Sequence, residues 1–490
     1  MKPNSVCVAV LLFLVHLPLS RAAAETILRV PADYPTIQAA VDAAGALPDS
    51  VAVRVAGGHY VEHVNIHDLP AGAELVVSGS WNASYDFRDG PPSIIDGAGV
   101  GPVVKVTGKN LRELQLIGFT IVGGSGAAAC GGHRDGEPAG GIYVSLAGNS
   151  VAAFLGNTVR DLRLTAGDSG ASAVQMLLQD NAQVTFHRNF MTDNHLIGPG
   201  ATGAGMRAVL RDSAFLNMEL DEFVGNRVRA TDHHHSAAAA GADLRVLDHG
   251  KLLVGRVLFQ QNEASAAGRA RYAAMTLRIE GIGSALIGGN KFLDNRTRSD
   301  RGDASGTVLW SASSSGCGSE RAVVTSDRDT FRGNLVGNRA GHVLAIASDQ
   351  ADVSFRDALI AKSDGDAILA SARSGGTNTL TNLTIADHAG NALRVPHSAS
   401  GGITYLSNSI LFGNGVDSPA GSPVQTANLV GVNPQFVDQA LGDYHLQAGS
   451  LAVDAGNDTP PGGLGMTDLD NVPRPKGLAV DIGAYEQHMP

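Results

Sequence analysis

Cysteine, aromatic side chains and long basic runs are all scarce in this chain, and each scarcity closes off a class of protein. Of three cysteines in 490 residues, Cys7 falls in the leading apolar stretch, so only Cys130 and Cys317 remain to pair. If successive repeats stack at about 4.8 Å per strand, the five repeats between these two place them roughly 24 Å apart, beyond the roughly 7 Å bridging limit; both nevertheless sit in Gly- or Ser-rich loops that can bend. Aromatic residues make up only 5% of the chain against 61 glycines, which suits many tight turns around a narrow aliphatic interior. No long basic run offsets the formal charge of −11, and phosphate binding needs clustered cations, so nucleic acid is excluded as a partner. Beyond the leading segment no apolar run reaches about 18 residues, which excludes a membrane-spanning helix.

The leading segment itself, residues 1–24, is laid out as a secretory signal. Lys2 precedes an apolar stretch from Val6 to Leu19, and Arg21-Ala-Ala-Ala24 supplies small residues for cleavage. The expectation is an exported, soluble protein, extracellular or periplasmic, whose charge becomes −13 once Lys2 and Arg21 are removed.

What the chain does contain is repetition. NAQVTFHRNFMTDN (Asn181 to Asn194), DSAFLNMELDEFVGN (Asp212 to Asn226), HGKLLVGRVLFQQN (His249 to Asn262) and IGSALIGGNKFLDN (Ile282 to Asn295) are four of about ten copies of one pattern. Each alternates apolar and polar residues with period two over short runs rich in Val, Leu, Ile and Phe, which reads as strand. A further strand precedes each copy, as in SAVQMLL (Ser172 to Leu178), AGMRAVL (Ala204 to Leu210), ADLRVLD (Ala242 to Asp248) and AMTLRIE (Ala274 to Glu280). Spacing between closing residues varies from 25 to 39, and the variation falls between the closing Asn and this further strand. A coil with a fixed core and one variable turn is a parallel β-helix, so the fold expected over 25–427 is an all-β, single-stranded right-handed solenoid of roughly ten to twelve coils, with a closing region over 428–490. The insertions gather on one side, where repeat proteins usually bind.

At the N-terminus, YPTIQAAVDAAGALP predicts a short capping helix with Pro35 at its first position and Ile37, Ala40, Val41 and Ala44 on one face; it covers the strand edges an open solenoid would expose. The opening TILRVPADYPTIQAAVDAA, with GGHYVEHVNI and SIIDGAG after it, resembles the start of right-handed β-helix proteins of the pectin lyase-like superfamily. The closing strings NPQFVD, GDYHL, GSLAVDAGND, DLDNVPRP and VDIGAYE are similar to the C-terminal region of the choice-of-anchor Q family. That superfamily includes esterases, lyases and non-catalytic proteins, and fold alone does not choose among them. The paired-aspartate pattern of polygalacturonases is missing, and LDEFVGN (Leu220 to Asn226) is only a loose echo of a pectinesterase string. The sorting sequence of the anchor family after VDIGAYE is missing too, which favours release over tethering.

Aligning the further strands puts Tyr143, Gln175, Arg207, Arg245, Arg278, Leu309, Leu344, Leu369 and Arg394 at one outward position of successive coils. Three stacked arginines repel, so an anion should lie beside them: either an acidic polysaccharide or cell-surface glycan, whose carboxylates guanidinium groups grip bidentately, or local partners among Asp212, Asp243, Asp248 and Glu280. On the first reading Tyr143, Gln175, Arg207, Arg245 and Arg278 bind substrate. In a lyase acting on a uronic-acid polymer, Arg207, Arg245 or Arg278 would serve as base or carboxylate clamp, with Ca²⁺ neutralising charge. Asp454, Asp468, Asp470 and Asp481 either share a Ca²⁺ through oxygen ligands or cap turns. The run Asp232-His233-His234-His235 either holds a transition metal or is a solvated loop, and Arg301-Gly302-Asp303 matches an adhesion tripeptide. Asn194, Asn226, Asn262, Asn295, Asn334 and Asn414 are turn residues that bond between coils, and Phe186, Phe223, Phe259, Phe292 and Phe331 form an interior ladder. The protein is expected to act as a monomer.

Overall fold

The computed structural model describes residues 25–487 except 71–72, 126–138, 166–171, 232–235, 301–302, 315–319, 338–340 and 398–400. The signal segment, all three cysteines, the Asp232–His235 run and Arg301-Gly302 lie outside the described residues.

Period-two alternation becomes parallel sheets. Within one coil, Gln183–His187 is followed by Phe190–Thr192, then His195–Ile197, then Met206–Leu210. Each strand pairs in parallel with its counterpart one coil on: Gln183 lies opposite Phe215, Phe190 opposite Glu222, His195 opposite Arg227 and Met206 opposite Ala242. The sheet holding the further strands has 11 members, within the expected ten to twelve coils. Parallel crossovers of this kind wind right-handedly, and the chain is a right-handed parallel β-helix.

The N-terminal helix covers Ile37–Gly45, and the four residues assigned to its inner face are all buried. Its start differs from the expectation by two residues. Ile37, not Pro35, is the first helical residue; Thr36 is the cap, accepting the Ala39 amide, while the Glu62 carboxylate takes the Ile37 and Gln38 amides at 2.9 Å each. The negative group at the positive helix end is favourable, so Glu62 ties cap to coil. Pairing between coils continues to Leu429–Val430 against Ile410–Leu411; beyond it the sheet gives way to an antiparallel pair, Phe436–Asp438 with Asp443–Leu446.

Two interior features hold the coils in register. Asn194, Asn226, Asn262, Asn295 and Asn334 are wholly buried, and the amide oxygen of each after Asn194 accepts both the backbone and the side-chain N–H of the Asn one coil earlier, as at Asn194–Asn226 (3.2 and 3.0 Å). Each Nδ2 also donates to a strand carbonyl, Asn226 to Met191 at 2.8 Å. The second feature is a stack of rings, Phe223, Phe259, Phe292 and Phe331, at 4.9, 5.1 and 4.5 Å between centroids. Each such pair is worth about 0.5–1.5 kcal/mol beyond burial. Phe186 is not part of that stack, contrary to expectation: it sits one strand earlier, opposite Phe154 and Met218. Met191 holds the ring position in that coil, and both strands alternate apolar and polar residues, so the apolar pattern alone does not separate the two columns.

A second ladder, absent from the sequence expectations, runs through the interior. Asn157, Asn189, Asp221, Asn290 and Asp329 are wholly buried at the corner between the first two strands. Asn157 gives its amides to Asn189 Oδ1, Asn189 to Asp221 Oδ1, and Asn290 to Asp329 Oδ1. Asp221, read as part of LDEFVGN, is therefore a structural rung.

Candidate functional site

The variable side of each coil is more regular than its length suggests. Beyond the closing position of successive coils, short strands form a five-stranded parallel sheet: Arg163–Thr165, His195–Ile197, Arg227–Ala230, Glu263–Ala266 and Arg296–Ser299. Leu164, Leu196, Val228, Ala264 and Thr297 point inward and are buried, which is why the arginines between them must point out. Three shorter strands, Ser236–Ala238, Arg269–Arg271 and Asp303–Ser305, follow in the middle coils and lead into the 11-stranded sheet. Insertion length is thus spent on extra strands that widen this side.

On the 11-stranded sheet the predicted column divides. Tyr143, Gln175 and Arg207 stand opposite one another as expected, but Arg207 faces Asp243, not Arg245. Arg245 and Arg278 are paired in a neighbouring column two residues further along the strand. Leu309 and Leu369 stay in the first column, with Ala345 between them, while Leu344 points inward and is buried. A slip of two residues keeps every side chain on its original face, whereas a slip of one reverses it; alternation in the sequence fixes facing but not this register.

The consequence is neutralisation. Asp243, almost wholly buried, lies 4.0 Å from Arg207 Nε and 3.6 Å from Arg278, and accepts a hydrogen bond from the Thr276 hydroxyl. Arg245 donates to Glu280 at 3.0 Å. Lys105 sits over the Tyr143 ring at 5.9 Å. The three arginines proposed as base or clamp therefore each have a carboxylate partner within the protein.

The short five-stranded sheet is different. One outward column runs Arg163, His195, Arg227, Glu263, Arg296 and the next runs Thr165, Ile197, Arg229, Ser265, Arg298. All five arginines are exposed. Among the described residues none forms an ion pair; Arg163 meets the His195 ring at 3.1 Å. Burial lowers the His195 pKa, and Arg163 and Arg227 lower it further against the opposing pull of Asp193 and Asp161. This surface is locally positive on an acidic protein.

The four C-terminal aspartates do not meet at one point. Asp468 accepts the Asp470, Val472 and Glu486 amides, and Asp481 those of Asp454 and Gln487. Asp454 takes the Ala479 amide, and Asp470 pairs with His445 Nε2 at 2.6 Å. Each carboxylate is committed to a turn or to His445, and among the described residues no three His, Cys, Asp or Glu side chains form a metal cluster. The region is anchored by Arg474, a fully buried side chain at 2.9 Å from Asp357 and 2.6 Å from Glu486 that also donates to the Gly483 carbonyl.

No family model matches the chain and no curated protein matches it, so the likeness of its end to the choice-of-anchor Q family rests on the residues alone. Among solved structures it is similar to a pectin methylesterase from Aspergillus niger in deglycosylated form, at 12% identity and a TM-score of 0.26, covering 71% of this chain and 87% of that one. The penultimately deglycosylated form of that esterase gives 12%, 0.25, 70% and 87%. These values carry no argument about activity.

Proposed function

We propose that this is an exported β-helix protein that binds an acidic polysaccharide, as a monomer, along the side where its insertions gather. One observation carries the reading: on that side outward arginines of different coils are lined up by strand register, giving a positive track on a protein of net charge −11. Guanidinium groups hold carboxylates in a fork and stay charged at any physiological pH. Binding is preferred to lyase chemistry because Arg207, Arg245 and Arg278 are paired with Asp243 and Glu280. No membrane-crossing helix is present among the described residues.

The test incubates the protein with polygalacturonate and reads two signals. Retention on the immobilised polymer, without absorbance from unsaturated chain ends in the presence or absence of Ca²⁺, is the expected result. Release of unsaturated ends would replace binding with lysis, and no retention on any uronan would remove the proposal.

A further inference from the structure

The structure assigns the polysaccharide contact to Arg163, Arg227, Arg229, Arg296 and Arg298 on the short five-stranded sheet, and points to an extended uronic-acid chain lying along the solenoid axis. This rests on the binding reading above and specifies where and how it is met.

In the first outward column arginines alternate with other residues: Arg163, then His195, then Arg227, then Glu263, then Arg296. In the second, Arg229 and Arg298 are likewise separated by Ser265. Guanidinium groups therefore recur every second coil, roughly 10 Å apart at the usual strand spacing. In its two-fold extended conformation a 1,4-linked uronan turns each sugar over relative to the last, so carboxylates on one face recur every second sugar. A sugar and a coil advance by comparable lengths, so the two repeats match over the five strands. Within a strand Arg227 and Arg229 both face outward, as do Arg296 and Arg298, and each pair brackets a chain laid between the columns.

Composition of the track favours this ligand over other polyanions. It contains arginine and no lysine, and the planar fork suits a carboxylate. Its outward positions carry no Phe, Tyr or Trp, whereas single-stranded nucleic acid is held largely by aromatic stacking. Glu263 stands in the middle of the first column without an ion-pair partner among the described residues, and its charge opposes any anion.

Two variants of the full chain test the assignment by titration with polygalacturonate. Replacing Arg227, Arg229, Arg296 and Arg298 together by Gln should weaken binding by about tenfold or more, with circular dichroism unchanged. Glu263→Gln should tighten binding several-fold, a gain that a folding defect cannot mimic. If wild type binds and neither variant differs from it, the track is not the contact although the protein still binds uronan. If wild type binds no uronan, the functional reading falls and this assignment with it. Tighter binding of dextran sulfate, or of a single-stranded oligonucleotide, than of polygalacturonate would overturn the ligand class.

Discussion

Replacing Asp221 with Asn should stabilise the protein at alkaline pH and leave it nearly unchanged in acid. Asp221 is wholly buried; its Oδ1 accepts the Asn189 amide at 2.7 Å and the Asn189 side chain at 3.1 Å, while Oδ2 has no hydrogen-bond partner. Burial pushes its pKa from 3.8 up to about 7 against the opposing hydrogen bonds from Asn189. Because the folded value is raised, the folded protein holds a proton that the unfolded chain releases. The stability it contributes is therefore complete below about pH 4 and is lost as pH rises through 7. A carboxyl displaced that far carries about 4 kcal/mol of ionisation cost above neutrality. Unfolding entropy for a chain of this size is roughly 1 kcal/mol/K, so the variant should melt about 4 °C higher at pH 8.5. Asparagine is nearly isosteric, and neighbouring rungs already use it: Asn189 Nδ2 donates to the Phe154 carbonyl at 2.8 Å. Thermal unfolding of both proteins across pH 4 to 9 reads the effect. A melting difference independent of pH, or a variant less stable at pH 8.5, would refute the reasoning.

Further outcomes follow from the same contacts. Asn226→Ala orphans the Asn194 amide and the Met191 carbonyl and should cost about 2–4 kcal/mol in denaturant unfolding; an effect below about 0.5 kcal/mol would show the ladder to be passive. Arg474→Met leaves Asp357 and Glu486 buried without their cation and should cost about 3–5 kcal/mol, with proteolysis beginning in the C-terminal region rather than the coils. Burial lowers the His445 pKa, but hydrogen bonds to Asp470 and Asp443 outweigh it and hold the imidazole above its ordinary value. Asp470→Asn should therefore shift its NMR titration to lower pH, and an unmoved titration would contradict the contact.

The parts of the fold that depend on facing were legible in the sequence, and those that depend on register were not. Val184, Phe186, Leu216 and Met218 alternate with polar neighbours, and all four are buried. The closing asparagines are legible because Asn194, Asn226, Asn262, Asn295 and Asn334 each fall two residues after the end of a Phe-bearing strand. Alternation alone puts Arg207 and Arg245 in one column because a two-residue offset leaves it intact; only the strand pairing separates them. The arginine track is not legible in the sequence for another reason. Its inward residues, Val228, Ala264 and Thr297, are small or polar, so NRVRA and NRTRS resemble solvated loops, yet each follows a closing Asn with the outward–inward alternation of a strand. Asp221 and Asp329 are not legible as rungs because two of that ladder's five named positions carry Asp instead of Asn.

The most direct measurement is the affinity of the unmodified protein for polygalacturonate as ionic strength rises. Exposed arginines that grip carboxylates predict tight binding at low salt, a steep loss as screening shortens to about 8 Å near physiological ionic strength, and no retention on a neutral galactan. Affinity that ignores salt, or that extends equally to the neutral polymer, would contradict a guanidinium track as the binding surface.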